Sequence, residues 1–415
     1  MRILVCSQHF WPENFPINSL VDGLVSAGNQ VDVITGKPNY PTGKIFSGYQ
    51  AWGFRHEVNR GVRIGRVPII PRGKGTAFRL AVNYLSYIFS GLLFAPFLAR
   101  GRKYDAIMVY ASSPLLQALP AVLMKWIKGA PLAVWVLDLW PDTLAATGYI
   151  RNRMILGIVG WVVRFIYWQA DLVLVPSEAF FDPVSKFSRR EKIRYFPQAA
   201  ERVSSSNNSH RPSPVAGVAA GFSVVFAGNI GTAQAVDTIV DAAELLRDEP
   251  SVRLYLVGDG TRRQWVISEV QRRGLTNLLV PGRFPMEDMP PLFADASALL
   301  VSLRDESIWA ATIPWKIQAY LAAGKPIIAS LNGEGARVVA SAGAGIHCAA
   351  GDARALAAAV VQLANTASEE RAAMGLRGRK YYEIHFEPGK LVQRLLAMLH
   401  AVQKPGCRPN PENVA

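Results

Sequence analysis

Short β-branched runs alternate with helix-length segments along most of this chain, and that alternation narrows the possible folds more than any other feature. Apolar runs at residues 3–6, 31–35, 106–109, 133–137 and 172–176 are separated by helical stretches at 19–27, 80–99 and 115–128. Runs without polar alternation read as strands buried on both faces, and the strand–helix–strand order reads as an α/β, doubly wound parallel sheet. A polar, breaker-rich stretch interrupts the pattern at 204–221: three serines and two asparagines (204–208), then Pro212, Pro214 and Gly217. The alternation then restarts, with strands at 223–226, 253–257, 278–280, 298–301 and 327–329 and helices at 236–246, 262–273 and 316–323. At 415 residues the chain is too long for one core and suits two Rossmann-like domains. The expected organisation is a first domain over 1–203, a linker or loop over 204–221 and a second domain over 222–389. A last helix over 390–403 is placed to return to the first domain, and 404–415 is a tail.

Charge separates the halves. Residues 1–200 hold 23 basic and 11 acidic side chains, against 22 and 20 in the rest, so nearly all of the +14 excess is N-terminal. A basic, apolar half favours anionic partners such as phosphates or an acidic lipid surface. Cys6, Cys348 and Cys407 form neither an even set nor a metal-ligand spacing, which favours a reducing compartment. The first seven residues are too short an apolar run for a secretory signal and read as a buried strand.

Residues 80–99 carry no charge and are flanked by Arg79 and Arg100, long enough to cross a hydrocarbon layer of about 30 Å. A single crossing there would place the strands at 3–6 and 106–109 on opposite sides of the bilayer, which one sheet does not allow. Asn83, Ser86, Ser90 and Pro96 also weaken the spanning reading, leaving a helix in the membrane interface or one buried between domains. A second segment mixes Arg151, Arg153 and Arg164 with Trp161, Phe165, Tyr167 and Trp168, a composition that suits lipid headgroups. Its aliphatic filling argues against base stacking, and no nucleic-acid-binding module is present.

Ligands in open α/β sheets sit beyond the carboxyl ends of the strands. After 224–226 comes Ala227-Gly228-Asn229-Ile230-Gly231 with Gln234, where glycines admit a phosphate to backbone amides, or form only a tight turn. Gly258-Asp259-Gly260 and Gly282-Arg283 carry the same two readings. Arg304-Asp305-Glu306 precedes Thr312-Ile313-Pro314-Trp315-Lys316-Ile317-Gln318, in which Pro314 starts a helix and Lys316 falls in its first turn. A cation there opposes the helix dipole and wants an anion nearby or solvent, which points to a bound diphosphate. In the first half, Asp138 of Asp138-Leu139-Trp140-Pro141-Asp142 is either a general base or a cap, and Phe10-Trp11-Pro12-Glu13-Asn14 either caps a helix or faces a ligand. The six histidines are scattered, and no metal site is supported.

These motifs, together with Gly36-Lys37-Pro38-Asn39-Tyr40-Pro41 and Asn332-Gly333-Glu334-Gly335-Ala336, resemble those of retaining GT-B glycosyltransferases of the family-four type, most closely bacterial O-antigen L-fucosamine (N-acetylfucosaminyl) transferases. The resemblance covers roughly 1–200 and 222–390. It implies two Rossmann-like domains facing across a cleft, a nucleotide-sugar donor on the second, an acceptor on the first, and transfer without metal or further cofactor. Many relatives place Arg and Lys where this chain has Asn229 and Gln234, which shifts the diphosphate onto Lys316 and the 228–231 amides. Paired glutamates of many relatives fall at Ala311 and Ala319; Glu306 or Gln318 substitutes, and Trp315 narrows the entrance.

The expectation is therefore a glycosyltransferase at the cytoplasmic face of a membrane, moving an amino-deoxyhexose from a UDP-sugar to a polyprenyl-diphosphate-linked saccharide. Asp138, Lys316 and Glu306 are the catalytic candidates. Gly228, Asn229, Gly231, Gln234, Gly258, Arg283, Gln318 and Glu334 are assigned to the donor, and Glu13, Asn14 and Asp142 to the acceptor. Arg151, Arg153, Arg164 and Trp161 are assigned to the membrane. The alternatives are a sugar-nucleotide epimerase of the same fold and a non-catalytic membrane scaffold, the latter suggested by Ala311 and Ala319.

Overall fold

A computed structural model describes residues 1–146, 152–199 and 212–403; residues 204–211 of the expected linker, the 404–415 tail and Arg151 lie outside them. The chain divides into two compact units, Met1–Gln198 with the helix Pro388–Gln403, and Ala199–Glu387.

The first unit is built on an eight-stranded sheet: β1 Arg2–Cys6, β2 Gln30–Gly36, β3 Arg55–Asn59, β4 Val62–Val67, β5 Ala106–Ala111, β6 Leu132–Val136, β7 Leu172–Val175 and β8 Ile193–Tyr195. Their order is β3-β4-β2-β1-β5-β6-β7-β8, all parallel except the β3 edge. The run β4-β2-β1-β5 reverses direction between β1 and β5, so the loops after Cys6 and Ala111 meet there, where the Gln117 side chain accepts from the Gln8 amide at 2.9 Å.

The β3–β4 hairpin and β8 are absent from the sequence reading. Arg55-His56-Glu57-Val58-Asn59 has no apolar run, since it is an exposed edge strand. β4 carries Arg66, which is wholly buried yet satisfied by the Glu57 carboxylate and the carbonyls of Gly36 and Trp11.

The long apolar helix is Ala77–Leu98, long and apolar enough to cross a membrane by length and composition, with 28% of its most apolar 18-residue window buried. Its polar residues fasten one face to the unit. Asn83 donates to Ile70 O (2.6 Å) and accepts from Gln8 Nε2 (2.7 Å), and Ser90 donates to Pro68 O (2.6 Å). The opposite face exposes Phe78, Phe89, Leu93 and Phe97, each more than half accessible.

The second unit carries a six-stranded, wholly parallel sheet: β9 Phe222–Ala227, β10 Val252–Val257, β11 Leu278–Gly282, β12 Ala298–Ser302, β13 Ile327–Ser330 and β14 Gly345–Cys348. The order β11-β10-β9-β12-β13-β14 is that of a Rossmann sheet, with its reversal between β9 and β12. Alternate residues of β9 enter the two cores, Val224 and Phe226 on one face and Val225 and Ala227 on the other.

Between 330 and 389 the sequence reading assigns no element; the chain there forms β14 and the helices Glu334–Ser341, Ala353–Asn365 and Ser368–His385. The last helix packs in the first unit against Pro16–Ser26, so closely that a Cβ on Gly23 would fall 2.7 Å from Val392 Cγ2.

Candidate active site

Three strand ends of the second unit converge because parallel neighbours finish at the same level. Gly228 follows β9, Gly258 follows β10 and Gly282 closes β11, linked by Gly228 N–H to Val257 O and Gly258 N–H to Gly282 O, both 2.8 Å. A Cβ on Gly258 would lie 1.8 Å from Gly228 O, and one on Gly228 2.6 Å from Lys316 Cε; with φ of 147° and 135° only glycine serves at either position.

These bonds correct part of the sequence reading. The Gly228 and Ile230 amides are already taken by Val257 O and Asp259 O, so the N–H groups of Asn229 and Gly231 are the ones left to a ligand. A short 3₁₀ turn, Thr232–Gln234, also separates the glycine loop from the helix Val236–Leu245, so no long helix dipole points straight at the loop.

Lys316 crosses this loop from the first turn of the helix Trp315–Ala323, whose N-terminus is set by Pro314. Its Nζ lies 3.6 Å from the centre of the Phe226 ring and is buried, with no hydrogen-bond acceptor among the described residues. Burial pulls its pKa down from the usual lysine value to about 7. A desolvated amine with a ring for company and no counterion is a socket for an anionic ligand. Below it, Tyr320 Oη accepts from Ala227 N–H at 3.0 Å and fixes the helix to the end of β9.

Around the amine lies a pocket of about 370 Å³. Gly228, Asn229, Gly258 and Lys316 line one side and Arg283 its rim. The other side is apolar: Phe284, Pro285, Met286, Met289 and Phe293, with the half-exposed Trp315. Sequence reasoning missed this wall, whose signal was the apolar cluster directly after Gly282-Arg283, and it named Asp259, the one carboxylate in the lining, only within the Gly258-Asp259-Gly260 turn, without a role.

Five donor-site or catalytic candidates stand outside the lining. Gly231 and Gln234 brace the loop, Gln234 Oε1 accepting from Asn229 Nδ2 at 2.9 Å. Glu334 is buried and holds Arg337 through both oxygens at 3.1 and 2.9 Å. Gln318 is buried with Oε1 unpartnered. Glu306 is exposed in the turn before the helix Ser307–Ala310. Ala319, where many relatives carry a glutamate, does line the pocket.

In the first unit Asp138 lies two residues beyond β6, half-buried, and accepts from Trp140 Nε1 at 3.0 Å. Asn14 and Asp142 are exposed. Glu13 is buried: Oε1 accepts from the Asn39 and Tyr40 amides at 2.7 and 2.6 Å, and Oε2 sits 2.9 Å from His9 Nδ1. Its carboxylate is spent on joining the loops after β1 and β2, so Glu13 positions backbone instead of offering a free group to an acceptor.

Arg153, Trp161 and Arg164 are exposed on the helix Arg153–Gln169. Among the described residues no group of three or more His, Cys, Asp or Glu is placed to hold a metal.

Both units match known family models. Residues 17–199 match the Glycosyl transferase 4-like domain and residues 221–366 the domain of Glycosyl transferases group 1. The chain is 25% identical over 342 residues to the putative colanic acid biosynthesis glycosyl transferase WcaI of Escherichia coli K12, covering 78% of this chain and 82% of that one. It is 24% identical over 292 residues to the probable glycosyltransferase WbjE of Pseudomonas aeruginosa, covering 67% and 71%. Among solved structures, HepE of Anabaena in complex with UDP superposes with a TM-score of 0.66 at 15% identity, over 96% of this chain and 100% of that one. The fold is GT-B, and the named relatives favour neither the epimerase nor the scaffold.

Proposed function

We propose that this chain, a nucleotide-sugar-dependent glycosyltransferase of GT-B fold, moves an amino-deoxyhexose of the L-fucosamine type from a UDP-sugar to a polyprenyl-diphosphate-linked saccharide, with retention of configuration. Its setting would be O-antigen, capsule or exopolysaccharide synthesis at the cytoplasmic face of a membrane. The observation that carries the donor half is Lys316, a buried, unpartnered amine lying across a glycine loop in a pocket with one apolar wall. A diphosphate fits the amine and the Asn229 amide, and a planar base fits the wall of Phe284, Met286, Met289 and Phe293. HepE, of the same fold, was solved with UDP and with UDP-glucose.

In transfer, the acceptor oxygen bonds the anomeric carbon as the bond from that carbon to the β-phosphate oxygen breaks, and negative charge grows on the leaving UDP. A protonated Lys316 stabilises that charge, usually the largest catalytic contribution in such a site. The departing phosphate takes the proton of the acceptor hydroxyl, so no protein base is required. Asp138 is assigned to orient that hydroxyl, its second oxygen being left by Trp140. Arg283 at the rim and Gly258 at the floor belong to donor binding, whereas Glu306, Gln318 and Glu334 stand outside the lining.

The acceptor half rests on the exposed face of Ala77–Leu98 and on Met154, Ile158, Trp161 and Trp168 of Arg153–Gln169. So many exposed large apolar side chains amid an excess of cations fit an anionic bilayer surface, where each cation contributes about 1 kcal/mol. The test is a panel of UDP- and dTDP-sugars, read by donor hydrolysis and thermal protection. An amino-deoxyhexose donor should protect most, and protection by none of them would remove the donor assignment.

A further inference from the structure

A second concavity, of about 530 Å³, lies on the first unit between the helix Arg153–Gln169 and residues 187–192. Two tryptophans a double turn apart, Trp161 and Trp168, stand 77% and 68% exposed on its edge, with Arg164 between them and Phe187 opposite. Arg164 lies over the Phe187 ring at 5.8 Å. Arg189 and Lys192 complete a lining that holds three cations and no carboxylate. Among acids outside the lining, Glu191 meets Arg189 only at 3.8 Å with both side chains about three-quarters exposed, a weak pair, and Asp171 acts on Lys192. Lys192 is anchored on the carbonyls of Trp168 and Ala170 at 3.1 and 2.7 Å, which fixes its charge at the pocket.

Cations alone would suit any free phosphate, but the aromatic rim continues along the same helix into exposed Met154, Ile155 and Ile158. An apolar track leading into a cationic, aromatic pocket matches an amphiphile with a phosphorylated end. We infer that this pocket binds the phosphate or diphosphate head of a membrane lipid, its chain lying along Trp161 and the exposed aliphatic face of Arg153–Gln169. The site also lies beside the acceptor loop: Tyr167 lines it, its pKa raised by burial first and then by the Asp138 charge, and a Cβ on Gly160 would stand 3.8 Å from Pro141 and 3.9 Å from Phe187. The inference extends the lipid-linked part of the proposed function, but it is read without donor or turnover.

Calorimetry on the full chain carrying Lys316→Met, which silences the amine of the second unit, compares farnesyl diphosphate, dihexanoyl phosphatidylglycerol and inorganic pyrophosphate. Either lipid should bind, and Arg164→Gln with Arg189→Gln should weaken it tenfold or more while leaving the melting temperature unchanged, both arginines being exposed. Trp161→Ala should weaken both lipids and leave pyrophosphate unaffected. Pyrophosphate binding as tightly as farnesyl diphosphate, or lipid binding indifferent to the arginine pair, would overturn the assignment. Failure of the donor panel would leave this measurement unaffected, so the two readings fail separately.

Discussion

On the proposed donor role, Lys316 makes its pocket a proton-linked site. Its amine titrates near pH 7 in the free protein because burial disfavours the ammonium. A diphosphate placed against it favours the ammonium and raises that pKa, so binding takes up a proton wherever the free amine is neutral. The sign follows: affinity is highest below pH 7 and falls as pH rises, until the pH passes the raised value in the complex. From pH 7 to pH 9 the protonated fraction drops from about one half to about one hundredth, so the affinity for UDP should fall about 50-fold, roughly 2.3 kcal/mol.

This window avoids the second ionisation of the terminal phosphate, which lies near pH 6. Calorimetry at pH 8 in two buffers of different ionisation enthalpy should find about 0.9 proton absorbed per UDP bound. Lys316→Met should bind weakly, with the pH slope and the proton uptake both gone. A wild-type affinity flat across pH 7–9, or an equal slope in the Met variant, would refute the reasoning. The same depressed pKa has an opposite effect on the free protein. The unfolded chain binds the proton more tightly between pH 7 and about 10, so this residue makes the empty fold more stable as pH rises.

Other consequences are direct. Lys316→Ala should lower turnover by about 10² or more, in the range of removing one preorganised transition-state donor, and near-normal transfer would take the amine out of the mechanism. Gly258→Ala sets a Cβ 1.8 Å from Gly228 O at a φ that side chains rarely adopt, so UDP protection should vanish and the melting temperature drop; an unchanged protein would mean the strand ends yield. Glu13→Ala leaves the buried Asn39 amide and the partly buried Tyr40 amide without their acceptor and should cost about 1–3 kcal/mol in denaturant unfolding while UDP affinity stays the same. Neutralising Arg153 and Arg164 should release the protein from anionic vesicles, most strongly at low salt, and salt-independent or unchanged flotation would place those cations away from the lipid.

Much of this architecture was legible in the linear pattern. The doubly wound sheets follow from apolar runs of strand length, because a strand covered on both faces needs no polar alternation and so stands out as β1, β5, β6, β9 and β12. The glycine turns and the Pro314–Gly324 helix were equally plain, since caps and tight turns are short-range constraints. What escaped was whatever depends on a distant partner. β4 was missed because buried Arg66 makes sense only once Glu57, Gly36 and Trp11 close around it. β14 was missed because a strand with Gly345 and His347 is held by its ladder to β13 and not by propensity. Glu13 looked like a free carboxylate until the second loop came to lie on it.

At the candidate site the same division holds. The order of residues determined that an amine would start a helix beside glycine turns, since both are set within a few residues by Pro314 and by the breaks after each strand. Tertiary structure alone decided the state of that amine. Packing over Phe226 and under Gly228 strips its water and withholds an acceptor, and that desolvation brings a lysine near neutrality at pH 7. Packing also decided which glycine-loop amides were already bonded, because hydrogen bonds between parallel strand ends join residues some thirty positions apart.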